Sequence, residues 1–215
     1  MKLSNLRRSF SENGWYVTFA ESCEWIAKRV RGRLLYRKLG AKNLQLGPRP
    51  IIRGLCCIRI GQNFSAGQGL WLEAITQYNG QPFTPTIKIG NNVCFSQGAH
   101  VAATNSVEIG DGVLLGSKVI ITDHNHGSYS GAGSSPVVPP TARPLDSNRG
   151  VSIGAKVWIG DGVVVTPGCT IGEGAVIGAN SVVYGVIPPF TVSAGAPARI
   201  LKRFDFDKQE WVVAT

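Results

Sequence analysis

Charge is what this 215-residue chain has little of: Asp, Glu, Lys and Arg together make 16% of it. A disordered chain carries more charge and lacks the 43% apolar content found here. Cys-x-x-Cys is absent. The five cysteines, Cys23, Cys56, Cys57, Cys94 and Cys169, are odd in number, so neither a disulfide framework nor a zinc site is indicated, and a reducing cytoplasm is expected. Long apolar runs are missing too. The stretch from Trp15 to Val30 is broken by Glu21 and Glu24, which makes it a poor signal-peptide core and too polar to span a bilayer. What is plentiful is glycine, at 27 residues, with 12 prolines. Helical bundles do not tolerate so much glycine, and collagen needs it at every third position, which fails here. The remaining class is a turn-rich, mostly β protein with a core.

The charge is unevenly placed. Residues 1–59 hold 13 Lys and Arg against 3 acids, while residues 60–215 hold 9 against 10. The excess suggests an anionic partner for the N-terminal quarter, or a basic segment kept for solubility. Nucleic acid is not expected, because no recognition motif accompanies the basic residues. After the basic start at Lys2, Arg7 and Arg8, Trp15, Phe19, Ser22, Cys23 and Ile26 recur near helical spacing. Lys28, Arg29, Arg31 and Arg33 follow. This predicts an amphipathic helix with a basic end, lying on a membrane surface or packed on the rest of the chain.

The dominant pattern has a period of six. Ile153, Ile159, Val165, Ile171, Ile177 and Val183 keep it without interruption, and Ile89, Phe95 and Val101 share the frame upstream. A two-residue insertion then moves it to Ile109, Leu115 and Ile121. Four positions after each aliphatic stands a small or branched residue, such as Val93, Ala99, Val157, Val163, Cys169, Ala175 or Ser181. Turn residues fill the gaps, as in Gly90-Asn91-Asn92 and Gly110-Asp111-Gly112. Units of this kind bury a continuous aliphatic ladder only when stacked, which predicts a parallel β-helix. A β-sandwich would show longer strands with period-two alternation.

The segments beginning Ile153-Gly-Ala-Lys-Val-Trp-Ile-Gly-Asp-Gly-Val and Ile171-Gly-Glu-Gly-Ala-Val-Ile-Gly-Ala-Asn resemble the hexapeptide-repeat acyltransferases. So does the ending Ile187-Pro-Pro-Phe-Thr-Val-Ser-Ala-Gly-Ala-Pro-Ala-Arg-Ile, and the likeness covers about residues 58–203. It is strongest to the sugar and polysaccharide O-acetyltransferases. The resemblance implies an all-β, left-handed parallel β-helix of three hexapeptides per coil, a homotrimer, and acetyl-CoA as donor with no metal. The expected layout is a basic, partly helical extension over residues 1–50 and a β-helix over 51–190 with a projecting loop at 123–150. Residues 191–215 are expected to form a tail that closes the coenzyme site.

The frame stops after Ile121 and resumes at Val151 or Ile153, and long insertions in solenoids usually carry function. His124 and His126 lie in the break and His100 one coil earlier. In the family the catalytic histidine stands five residues after the last in-pointing aliphatic, which selects His126, with His124 as runner-up. A base with a pKa near neutral takes the proton from a sugar hydroxyl, and that oxygen attacks the thioester carbonyl. Asp123 is either the orienter of an imidazole or a turn residue. The histidine spacings of 24 and 2 do not match the zinc carbonic anhydrases that share this fold.

By the same resemblance, Ser96, His100 and Asn125 would line the acceptor cleft; Ser96 stands where relatives often place Asn. Trp158, Gly160 and Ala179 would line the coenzyme groove, with Arg199 and Lys202 facing its phosphates. Tyr184-Gly185 replaces a Thr-Lys pair, and Tyr184 is a candidate to stack on adenine. Packing between subunits is the competing role for Trp158, and a solvated helix-like tail the competing role for Arg199, Lys202 and Arg203. The expected activity is acetyl transfer to a sugar hydroxyl of a bacterial surface polysaccharide (O-antigen or exopolysaccharide) or its precursor, in the cytoplasm or at the inner face of the membrane. The alternatives are a free small sugar or antibiotic as acceptor, or a non-catalytic trimeric solenoid.

Overall fold

Each six-residue unit makes a two- to four-residue strand and a turn, and the strands stack into three parallel sheets. The computed structural model describes residues 3–130 and 133–214, without the side chains of residues 3–9, 13, 28, 31, 32, 36 and 37. Lys2, Arg7, Arg8, Lys28 and Arg31 of the expected basic segment therefore lie outside the described side chains.

Face A stacks Gln45–Leu46, Ser65–Ala66, Cys94–Phe95, Leu114–Leu115, Trp158–Ile159 and Val176–Ile177. Face B stacks Ile51–Arg53, Trp71–Ala74, His100–Ala103, Ile120–Thr122, Val164–Val165 and Val182–Val183. Face C runs from Ile58–Ile60 through Thr86–Ile89, Ser106–Ile109, Val151–Ile153 and Thr170–Ile171 to Val186–Ile187. The register is in phase from coil to coil: Leu115 lies over Phe95 and under Ile159, and Ile121 over Val101 and under Val165. The hexad aliphatics Ile89, Phe95, Val101, Ile109, Leu115, Ile121, Ile153, Ile159 and Val165 are each no more than 4% exposed. So are Val93, Ala99, Val157, Val163, Cys169, Ala175 and Ser181, so each unit buries two side chains.

The stacking begins earlier than the repeat is visible in sequence. Gln45–Leu46 already pairs with Ser65–Ala66, because Leu44 and Leu46 supply the buried positions despite an imperfect frame. Residues 191–195 likewise remain in the solenoid, with Val192 parallel to Val176, before the chain turns into an antiparallel hairpin. Its strand Ala198–Asp205 carries Arg199, Lys202 and Arg203, so this tail is extended, not helical.

The N-terminal extension is helical over Leu3–Leu39, kinked at Gly14, whose φ of 77° lies in the left-handed region. Its last turns close the end of the solenoid: Leu39 is fully buried and Leu35 packs against the core. Earlier in the helix Trp15, Phe19 and Leu34 are at least 65% exposed. The helix thus packs at its C-terminal end, and among its described side chains Trp15, Phe19 and Leu34 are presented to solvent.

Candidate functional site

Face B bends into face C at an edge that three successive coils leave. The first excursion carries the hairpin strands Gln77–Tyr78 and Gln81–Pro82. The second is the two-residue insertion Thr104–Asn105, and the third is the long loop that starts at Asp123. Stacking holds the three together. The Thr104 N–H, the Thr104 hydroxyl and the Asn105 N–H donate to the Asp123 carboxylate at 2.9, 3.1 and 2.8 Å. Asp123 is completely buried, and these donors satisfy a charge that would otherwise be costly there.

The same carboxylate lies 3.0 Å from Nδ1 of His124, whose side chain is 11% exposed. A neutral ring that donates from Nδ1 to this carboxylate has the Nε2 lone pair free, the arrangement of a base held by a carboxylate. The Thr122 hydroxyl sits 3.2 Å from the same nitrogen.

His126 is placed differently. It pairs in register with Leu145 across the antiparallel strands Asn125–His126 and Leu145–Asp146. Its exposed ring packs edge-on against Tyr78 at 5.3 Å, and Tyr129 Oη donates to its carbonyl oxygen. No carboxylate holds its ring among the described residues. Arg143, 8% exposed, braces this loop by donating to the carbonyls of Val138 and Pro136 and to Tyr129 Oη. Gln81 fastens it to the neighbouring hairpin, accepting from the Leu145 N–H at 3.1 Å.

On the outer side of face B, His100 stacks on Trp71 with ring centroids 4.3 Å apart. Trp71 Nε1 donates to Glu73 at 2.9 Å, and Arg53 pairs with the same carboxylate at 3.0 Å. Burial pushes the His100 pKa down, with Glu73 opposing and nearby His124 adding to the fall. Its Nε2 is buried without a hydrogen-bond partner. Trp71, Glu73 and Arg53 belong to this cluster and were not anticipated. The available signal was their spacing, since i and i+2 on a strand share a face. The Thr104–Asn105 anchor was visible as the two-residue shift of the frame from Val101 to Ile109, but nothing in the sequence said what it would hold.

The expected donor residues divide. Trp158, 52% exposed, leads outward on face A through Val176 and Val192 to Lys202, each in register with the next. Arg199, opposite Ala194, is on the same side. An apolar strip ending in two cations fits a ligand with a pantetheine arm and phosphates. Gly160 is buried in the stack, where a Cβ would sit 2.7 Å from the Ala179 amide. Tyr184 and Gly185 lie between faces B and C, apart from that strip. Ser96 stands at the opposite edge, between A and B, and Asn125 at the base of the loop, in register with Asp146. Within one chain, then, the histidines and the face A strip are on different sides. Among the described residues no group of three or more His, Cys, Asp or Glu side chains is placed to hold a metal ion.

The model of the bacterial transferase hexapeptide family (six repeats) matches residues 150–185. WbbJ of Escherichia coli (strain K12), a candidate lipopolysaccharide biosynthesis O-acetyl transferase, is 45% identical over 169 residues, which are 75% of this chain and 82% of WbbJ. The galactoside O-acetyltransferase of the same organism is 30% identical over 88% of this chain and 87% of its own. Among solved structures, AntD, an N-acyltransferase from Bacillus cereus in complex with dTDP and 3-hydroxybutyryl-CoA, matches with a TM-score of 0.61 at 20% identity, over 78% of this chain and 84% of that one. The hexapeptide-repeat acetyltransferase VCA0836 from Vibrio cholerae, complexed with acetyl coenzyme A, matches 94% of this chain and 85% of its own, at a TM-score of 0.53 and 22% identity. These last two likenesses are of fold.

Proposed function

The chain belongs to the bacterial hexapeptide transferase family and is an acyltransferase, and we propose that it moves an acetyl group from acetyl-CoA to a sugar hydroxyl of a bacterial surface polysaccharide or its precursor. One observation carries the chemistry: His124 Nδ1 rests 3.0 Å from a fully buried carboxylate that three donors fix in place. Acetyl-CoA supplies the activated thioester. His124 Nε2 takes the hydroxyl proton as the sugar oxygen attacks the thioester carbonyl; the C–S bond then breaks, and the imidazolium, stabilised by the Asp123 carboxylate, returns the proton to the departing CoA thiolate. Of the two histidines in the loop, His124 is the one with such a partner, and the reading gives it the role of base. Trp71, Glu73 and His100 form the wall beside it, suited to a sugar ring that stacks on an aromatic face and donates to a carboxylate.

We infer in addition that the coil is left-handed and that the chain forms a trimer. The separation of the two residue sets supports the trimer, since face B of one copy needs face A of another to bring Trp158, Arg199 and Lys202 near His124. The outer columns agree: Leu114 and Trp158 on face A and Ile51 and Ile120 on face B are 40–52% exposed and apolar. With all five cysteines free, the reading keeps the chain in a reducing, cytoplasmic compartment.

The likeness to a galactoside O-acetyltransferase favours a second acceptor class, a free sugar. Acetyl-CoA consumption measured against free sugars, oligosaccharides and lipid-linked oligosaccharides decides between them. Thiol release that depends on a polysaccharide precursor is expected; release with free sugars alone transfers the assignment. Absence of CoA binding by calorimetry overturns both.

A further inference from the structure

A cavity of about 860 Å³ opens between the N-terminal helix and the first coil, at the end of the solenoid away from the C-terminal hairpin. Trp25, Ile26, Arg29, Val30 and Arg33 line it from the helix and Lys42 from the opposite wall. Three cations face it, and among the described residues no acid does. The Arg29 guanidinium lies over the Trp25 ring at 4.2 Å, a contact that holds it while leaving its donors to an anion. None of the ion pairs among the described residues involves Arg29, Arg33 or Lys42.

The cavity adjoins an apolar ridge. Trp15, Phe19, Ile26, Val30 and Leu34 recur at spacings of four, seven, four and four along the helix, and each is at least 52% exposed. Ile26 and Val30 belong to both features, so the cationic recess and the apolar ridge form one surface. Neither is used by the acyl-transfer site, and burying the ridge needs a partner that is apolar a few ångströms below an anionic layer. A soluble anion would leave the ridge bare. An ordinary protein groove would leave three cations without counter-charges.

We propose that this surface docks the chain on an anionic lipid bilayer, with lipid phosphates in the recess at Arg29, Arg33 and Lys42 and the ridge entering the acyl boundary. The charge distribution agrees, since residues 1–59 hold 13 Lys and Arg against 3 acids and the remainder 9 against 10. No helix among the described residues is long and apolar enough to cross a membrane, so the contact is peripheral.

Flotation of the full-length chain with vesicles tests it. Binding is expected to vesicles of phosphatidylcholine mixed with phosphatidylglycerol, to weaken with added salt, and to be absent with phosphatidylcholine alone. Each cation near the surface is worth about fivefold in affinity, so the Arg29→Glu/Arg33→Glu double variant should bind at least about 25-fold more weakly. Trp15→Ser/Phe19→Ser should also lose flotation, while circular dichroism and the denaturant midpoint show that both variants remain folded. Equal flotation with uncharged vesicles, or wild-type flotation by the charge-reversed variant, overturns the proposal. So does binding of inorganic diphosphate, or of duplex DNA, by a chain that binds no vesicle.

Discussion

Face B has two edges, and the contrast between them separates what the repeat builds from what it exposes. At the edge with face A, the residue after each strand is Gly47, Gly67, Ser96, Gly116, Gly160 and Gly178 in turn. Consecutive backbones approach so closely that a Cβ on Gly116 would lie 2.6 Å from the Asp161 amide, and one on Gly160 2.7 Å from that of Ala179. Most of this edge has no room for a side chain, Ser96 being the exception, and no coil leaves it. At the edge with face C, the coils carry Ile75, Thr104 and Asp123 in place of a stacking glycine, and all three depart. Regularity supplies a rigid wall; the departures bring a buried carboxylate, an imidazole and an aromatic hairpin onto one side of it.

The largest effect expected from breaking this contrast is at the departing edge. His124→Ala should lower kcat about 10²–10⁴-fold, the usual loss for a general base, with the KM for acetyl-CoA little changed. His126→Ala should cost less than about tenfold, because its ring leans on Tyr78 and no carboxylate orients it. The opposite ranking, read from steady-state kinetics of both variants, returns the role to His126.

A middle effect is expected at the anchor. Asp123→Asn keeps the shape but turns a pure acceptor into a group with two donors, facing the N–H groups of Thr104 and Asn105. Loss of the charge-assisted bonds should lower stability by about 1.5–3 kcal/mol and also reduce kcat. Alanine in place of Thr104 removes one donor from the carboxylate and should cost about 1 kcal/mol with kcat reduced less. Denaturant midpoints beside kinetics check both. An Asp123→Asn enzyme with wild-type kcat would reduce Asp123 to a turn residue.

The closed edge gives the converse. Gly116→Ala forces the backbone of the next coil to move, which should cost about 1–3 kcal/mol in denaturant unfolding. Activity per folded molecule should be kept, since nothing at that position touches the histidine cluster. A variant of unchanged stability would mean that the coils are looser than their spacing implies.

How much of this was legible in the sequence follows the same division. The period of six marked the in-pointing aliphatics from Ile89 to Val183, because a residue with one required orientation and one neighbour above and below has little freedom; Ala103 and Val107, where the frame shifts, are buried without being marked. The first coil escaped because its frame is broken: Leu46 and Ile52 keep the step of six, but the next in-pointing residue, Ile60, comes eight positions on. The site was legible only as a region. Counting from Ile121 pointed to the loop, but which imidazole meets Asp123 depends on Thr104 and Asn105, nearly twenty residues earlier and adjacent only because coils stack. Trp71 and Glu73 were hidden for the same reason, since their neighbour His100 lies in a different coil.

The smallest expected effect concerns that neighbour and has a defined sign. Burial against Trp71 lowers the His100 pKa from its usual value near 6.5; His124 lowers it further and Glu73 opposes. The unfolded chain thus binds a proton at a pH where the folded chain does not. Stability from this residue is complete above about pH 6.5 and is lost as the pH falls below it, toward the lowered folded value. The denaturant midpoint should decline between about pH 7 and about pH 5, by less than one proton's worth of slope. His100→Phe keeps a ring on Trp71 and removes the titration, so its midpoint should decline less over that range. An equal decline in both proteins assigns the proton to another group, and the orphaned Nε2 of His100 then serves the fold without regard to its charge.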